Sequence, residues 1–125
     1  MAEVVALLQR ECPHYNWVGV YLLEEGELVL GPYVGKPTPH TRIPLNKGIC
    51  GAAATSGQTV IVDDVKADPR YLACSLETRS EIVVPIARQG RIFGEIDIDS
   101  DMQAAFTQED RELLEEVARI LAKFL

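Results

Sequence analysis

The spacing of apolar residues changes several times along the chain, and each change predicts an element. Val4, Val5, Leu7 and Leu8 open with helical spacing, and Pro13 breaks that run. NWVGVYLL (16–23) and GELVLGPYV (26–34) are apolar and rich in strand-forming residues, which predicts two strands joined by a hairpin turn at EEG. GKPTPHTRIPLNKG (35–48) carries three prolines and reads as a loop with one short strand near Arg42–Ile43. ICGAAATSGQ (49–58) predicts a short alanine-rich helix stopped by Gly57. TVIVDDV (59–65) predicts a strand, and DPRYLAC (68–74) a helical turn with Asp68 as N-cap and Pro69 at its first helical position. SEIVVPIARQGRIFGEIDIDS (80–100) predicts a second hairpin turned at Gln89–Gly90. Thr107 then caps a helix running to Leu125, with Asp110 completing a capping-box pattern. Leu114, Val117, Leu121 and Phe124 form its apolar stripe.

This order predicts one α+β domain spanning residues 1–125. Its sheet should be mostly antiparallel, with the terminal helices packed on one face. The long loop and the central helical turns are left for the other face, with a ligand pocket beneath them. The sequence contains no internal repeat, low-complexity segment or linker.

One strand breaks the expected pattern. In GEIDIDSD (94–101), Ile96 and Ile98 share one face, so Glu95, Asp97 and Asp99 share the other. Like charges in a row repel, and Asp and Glu are poor strand formers. Across the Gln89–Gly90 turn, Glu81 falls near the Asp97–Asp99 end, so four acids converge. Such a row is either a solvated sheet face or a covered one. The neighbouring segments are apolar on both faces, which favours cover. Covered carboxylates need a cationic partner or must hold protons. A cationic ligand such as an amine would satisfy the row, and a raised pKa on one member would supply a general acid.

Composition narrows the partners. The formal net charge of -7 and the pI of about 4.8 argue against nucleic acid and anionic membranes. No apolar run approaches a membrane span, and the N-terminus carries no signal peptide pattern. The three cysteines, Cys12, Cys50 and Cys74, are an odd number and too few for a disulfide scaffold, which points to a reducing, cytoplasmic setting. Cys50 starts a predicted helix, where unpaired N–H groups can lower a thiol pKa. Cys50 and Cys74 are either small core residues or reactive thiols. No ligand spacing suggests a metal, since there is no CxxC and only His14 and His40 are available to assist.

The segments NWVGVYLL, GPYVGKP, RIPLNKGICGAAATSGQTVIVDDV, ACSLETRSEIVVPI and GEIDIDSD, followed by FTQED, resemble the GAF fold. More narrowly, SEIVVP, DIDS and GICG together resemble the free methionine-(R)-sulfoxide reductases. The resemblance runs from about Asn16 to the C-terminus. The family's longer helical N-terminal segment is abbreviated here.

The resemblance implies a closed pocket in which Glu81, Asp97 and Asp99 hold the substrate ammonium and help protonate the sulfoxide oxygen. Trp17 and Tyr21 would line the apolar part around the methyl and thioether end. The family nucleophile falls on Cys74, whose attack leaves a sulfenic acid. A second cysteine, Cys50, would condense with it, and a thioredoxin-type dithiol would reduce the disulfide. No metal and no organic cofactor are implied. A further family cysteine, just before the RIP motif, is replaced here by His40, which reads as an exposed loop histidine. Cys12 matches no family cysteine and reads as structural. The chief alternative is a non-catalytic GAF sensor that binds a small molecule such as an amine. Cyclic-nucleotide binding fits four acids poorly, and bilin attachment fits less well. The terminal helix stripe could serve the core or a homodimer.

Overall fold

The computed structural model describes residues 1–72 and 76–125. Helix α1 (Ala2–Glu11) leads into the hairpin β1 (Trp17–Glu24) and β2 (Glu27–Val34). Strand β3 (Arg42–Pro44), helix α2 (Gly48–Ser56) and strand β4 (Val60–Val62) follow. The second hairpin is β5 (Ser80–Arg88) and β6 (Arg91–Ser100), and α3 (Gln108–Ala122) ends the described architecture. Among the described residues, six strands form one antiparallel sheet in the order β3-β2-β1-β6-β5-β4. The domain is therefore α+β. No helix among the described residues is long and apolar enough to cross a membrane.

Strand β6 lies inside the sheet, paired with β1 on one side and β5 on the other. Its alternation sorts two cores. Ile96 and Ile98 join Val18, Val20, Ile82, Val84 and Ile86 beneath the terminal helices. Val5 and Leu8 of α1 close that layer, as do Leu114, Ala118 and Leu121 of α3. The opposite face carries Trp17, Tyr21 and Val83 under Ile49, Cys50, Ala53 and Ala54 of α2. The expected layout, with terminal helices on one face and loop and central helix on the other, is the observed one.

Local chemistry fixes the ends. Thr107 and Asp110 form a reciprocal capping box at the start of α3. Tyr15, fully buried, donates to the same Asp110, which ties the α1–β1 connection to α3. Gly57 closes α2 at φ 70, a left-handed conformation that costs glycine little.

Three boundaries and one stripe residue differ from the sequence expectation. The helical turn lies at Val65–Ala67, capped by Asp64, rather than in DPRYLAC. Pro69 disfavours helical backbone at Asp68, which is extended at φ -99 and ψ 117 and ends the turn. Residues 73–75 of that segment lie outside the described residues. The strand expected over 59–65 is only Val60–Val62, because Asp63 already leaves the sheet. Helix α3 ends at Ala122 rather than Leu125, and Phe124 is 78% exposed rather than on the buried stripe. Once the helix ends, its 3.6-residue period no longer turns Phe124 toward the sheet.

Gly94 admits a close approach of β1 and β6 at the end of their pairing. A Cβ there would stand 2.3 Å from the Tyr21 carbonyl oxygen. Backbone cannot yield as a side chain can, so Gly94→Ala should lose about 1–3 kcal/mol of stability. Urea denaturation of parent and variant measures this, and an unchanged midpoint would contradict the tight approach.

A buried acid row as candidate active site

The acids of β6 turn toward α2. Glu95, Asp97 and Asp99 are 0%, 5% and 2% exposed, so they form a covered row and not a solvated face. Register sets their neighbours. Asp99 lies between Trp17 and Glu81, Asp97 between Gly19 and Val83, and Glu95 between Tyr21 and Pro85. Glu81 is itself buried. From above, the Cys50 thiol of α2 donates to Asp97 Oδ2 at 3.3 Å. No Lys, Arg or His among the described residues forms an ion pair with Glu81, Glu95 or Asp97.

Two aromatic residues fasten the loop of residues 35–47 over this face. Trp17 Nε1 donates to the Lys36 carbonyl at 2.9 Å, and Tyr21 Oη donates to the His40 carbonyl at 2.8 Å. Trp17 also stacks on Tyr33 with ring centroids 5.5 Å apart. Its ring lies across Gly19, where any Cβ would come within 2.4 Å of it. The loop, the indole and the end of β6 enclose a cavity of about 150 Å³, lined by Trp17, Lys36, Thr38, Thr78, Asp99 and Asp101. A second hollow of about 20 Å³ is lined by Tyr21, His40, Gly48, Cys50, Glu81 and Asp97. That is room for about one water molecule or ion.

Burial and mutual repulsion govern protonation here. Desolvation, then the nearby Asp97 and Asp99 charges, push the Glu81 carboxyl well above its ordinary value of 4.5. Glu81 is the acid that hydrogen-bonds Asp97, whose own value is raised by burial and partly restored by Glu81 and Cys50. Burial and the Asp97 charge also raise Glu95 strongly, and the Cys50 thiol beside it offsets this only in part. The Cys50 thiol goes well above 9.0, through burial and then the charges of Asp97, Glu95 and Glu81. This corrects the expectation that the α2 N-terminus would lower it. The helix end acts over one turn and is worth about 0.3–1 kcal/mol at the surface, whereas full burial beside three acids opposes a thiolate from every side.

The GAF domain profile matches residues 1–125. The chain is 39% identical over 125 residues to the free methionine-R-sulfoxide reductase of Escherichia coli, covering 100% of this chain and 75% of the relative. It superposes on the type II free methionine-R-sulfoxide reductase of Thermoplasma acidophilum with a TM-score of 0.96 at 46% identity, covering 98% of this chain and 87% of that one. The Neisseria meningitidis free methionine-R-sulfoxide reductase, solved in complex with its substrate, gives a TM-score of 0.92 at 44% identity, covering 98% and 73%. The chain belongs to the GAF domain family, in its free methionine-R-sulfoxide reductase branch.

Within this GAF domain, Cys50, Glu81, Asp97, Asp99, Trp17 and Tyr21 all converge on the α2 face. Cys74, the expected nucleophile, lies outside the described residues. His40 is half-buried and lines the hollow beside Cys50, which corrects its assignment as an exposed loop histidine. Cys12 packs against the helix-side core, on the other face of the sheet. Sequence reasoning missed Asn16, whose backbone N–H donates to the Asp99 carbonyl at 3.0 Å. Its side-chain oxygen accepts from the Asp101 N–H at 2.8 Å, which holds the end of the acid row. It also missed Lys36, Thr38 and Thr78 at the cavity wall. Nothing in their local pattern separates them from ordinary loop residues.

The acids make stability depend on pH with a definite sign. The folded values of Glu81, Glu95 and Asp97 are raised, so the folded chain keeps protons that the unfolded chain releases. For Glu95 the stabilisation is full below the ordinary value of 4.5 and falls as pH rises toward the raised folded value. Glu95→Gln keeps the shape and removes the titration. Its melting temperature relative to the parent should therefore rise between pH 4.5 and pH 8, by about 3–6 °C per kcal/mol of linkage. Thermal scans of both proteins across that range test this. A constant difference would show that Glu95 holds no extra proton.

Proposed function

We propose that this chain reduces free methionine-R-sulfoxide to methionine with thiols as the source of electrons. The observation that carries this function is the convergence of Glu81, Asp97 and Asp99 beside Cys50, Trp17 and Tyr21. Relatives named for this activity at about 40% identity favour the enzyme over a sensor. So does the thiol hydrogen-bonded to Asp97, because a sensor for an amine needs acids but no thiol beside them.

The substrate is a zwitterion, and the cavity wall suits one. Asp99 supplies negative charge, while Lys36 and the hydroxyls of Thr38 and Thr78 supply donors for a carboxylate. Trp17 and Tyr21 take the methyl and thioether end. Cys74 attacks the sulfoxide sulfur as a thiolate. Glu81, kept protonated by burial and by its acidic neighbours, gives its proton to the sulfoxide oxygen. Methionine leaves with its sulfur reduced by two electrons, and Cys74 becomes a sulfenic acid. The Cys50 thiol condenses with it, forming a disulfide and releasing water. A thioredoxin-type dithiol reduces that disulfide, which requires a reducing compartment such as the cytoplasm. We read residues 1–125 as one GAF domain. The half-exposed Leu113 and Ile120 of α3, with exposed Phe124, support a homodimer through that helix.

Incubation with free methionine sulfoxide and dithiothreitol, with each diastereomer assayed, tests the activity. Only the R form should be consumed. Cys74→Ser should fall to background, and Cys12→Ser should match the parent. Glu81→Gln and Asp99→Asn should each lose roughly 10–100-fold in kcat/KM, as expected for a charge-assisted contact worth about 1.5–3 kcal/mol. Parent-like activity in Cys74→Ser would remove it as nucleophile.

Recycling gives a separate test. Dithiothreitol attacks a sulfenic acid directly, whereas thioredoxin acts on a protein disulfide, so turnover with dithiothreitol should be the faster. His40 lines the hollow that holds Cys50, so His40→Cys adds a second resolving thiol there. The substitution should raise the thioredoxin-driven rate more than the dithiothreitol-driven one. Equal thioredoxin-driven rates in the two proteins would mean that Cys50 alone resolves efficiently.

A further inference from the structure

We propose that Cys50, Glu81 and Asp97 form a binding site for a thiophilic divalent cation, best matched by Zn²⁺, whose occupancy excludes the substrate. One ligand atom from each of the three residues lies within 4.8 Å of the other two. Zinc holds thiolate sulfur at about 2.3 Å and carboxylate oxygen at about 2.0–2.2 Å. Ligands on one ion therefore stand within about 4 Å of each other. Small side-chain rotations close the remaining gap. The donors come from α2, β5 and β6, so no spacing along the chain announces them.

A cluster of acids alone would not make a metal site. Here a second observation points to a cation as ligand. Asp97 Oδ1 is buried with no hydrogen-bond partner, and Asp97 as a whole is 5% exposed. The hollow of about 20 Å³ touches Cys50, Glu81 and Asp97 together, with the volume of about one ion. His40 and Tyr21 also line the hollow, and the fourth position of the ion falls to water.

The chemistry selects the metal. A thiolate with two carboxylates suits Zn²⁺, whereas Mg²⁺ and Ca²⁺ take oxygen ligands. Binding replaces the Cys50 S–H bond with an S–Zn bond and releases that proton to solvent. No electron moves. The ion neutralises the acids that would otherwise meet the substrate ammonium, and it caps the thiol that resolves the sulfenic acid. The competition with substrate rests on the function proposed above; the binding itself does not.

Cobalt reports such a site by its spectrum. The reduced full chain, titrated anaerobically with Co²⁺, should show a sulfur-to-cobalt charge-transfer band that saturates at one equivalent. Zn²⁺ should abolish the band, and Mg²⁺ in large excess should not. The band should vanish in Cys50→Ser and persist in Cys12→Ser. Asp97→Asn should weaken Co²⁺ binding at least tenfold, and Glu81→Gln does the same test should Asp97→Asn fail to fold. Free methionine, which bears the ammonium without the reactive sulfoxide, should raise the apparent Kd for Zn²⁺. Absence of the band, its persistence in Cys50→Ser, or displacement by Mg²⁺ would overturn the site. A protein inactive on methionine sulfoxide that still gives the Cys50-dependent band would uphold the site and overturn only the reductase function.

Discussion

The burial of three carboxyl groups on one strand is the constraint on which the domain depends. Moving an ionised carboxylate out of water costs several kcal/mol even after relaxation. Strand β6 meets that cost in two ways. Glu95 on the strand itself, and Glu81 facing it from β5, are held toward their neutral forms, which removes part of the charge. The other side of the same strand places Ile96 and Ile98 in the helix-side core, where each buried side chain contributes about 1.5–3 kcal/mol. Pairing on both edges satisfies the strand's backbone. A strand at the sheet edge would have neither the cover nor the pairing to hold such a row.

That arrangement also divides labour between the thiols. Cys50 sits under α2 against Asp97, and its environment keeps the proton on sulfur. A protonated thiol is a weak nucleophile, so Cys50 is poorly suited to attack a sulfoxide in the resting enzyme. It is better suited to the later resolving step proposed above, because Asp97, which accepts its hydrogen bond, is placed to take its proton. In the mechanism proposed above, the charge state of the row matters to both half-reactions: Glu81 would give its proton to the sulfoxide, and Asp97 would receive one when Cys50 reacts.

Much of this was legible in the sequence because period-two alternation is strong in GEIDIDSD and the Gln89–Gly90 turn fixes the hairpin register. Glu81 does face Asp99 across that hairpin. Depth was less legible. That Glu95 is wholly buried depends on α2 and the loop over residues 35–47, which no local pattern around Glu95 encodes. Cys50 misled for the same reason: its helix position is local and readable, but the acids that dominate it arrive from β5 and β6. His40 looked exposed because loops with proline usually are, yet Tyr21 pins its carbonyl to the sheet. Element ends slipped where capping competed, as with Asp64 against Asp68 around Val65–Ala67.

On the function proposed above, the same row would favour free methionine sulfoxide over the residue within a peptide. In a free amino acid the α-nitrogen is an ammonium, which neutralises a carboxylate as it binds. In a peptide that nitrogen is a neutral amide with one N–H. An amide entering beside Asp97 and Asp99 would displace any water there and leave negative charge uncompensated in a site only a few per cent exposed. A buried polar group left without its partner costs about 1–3 kcal/mol, and more when it is charged. Discrimination by a missing charge partner is stronger than discrimination by size, since a hydrophobic pocket separates one methylene by only about 1–3 kcal/mol. The loop pinned by Trp17 and Tyr21 adds a steric barrier, because it roofs the cavity where a continuing chain would have to leave. Charge and closure therefore select the same substrate, and both trace to residues on β1 and β6 that face α2.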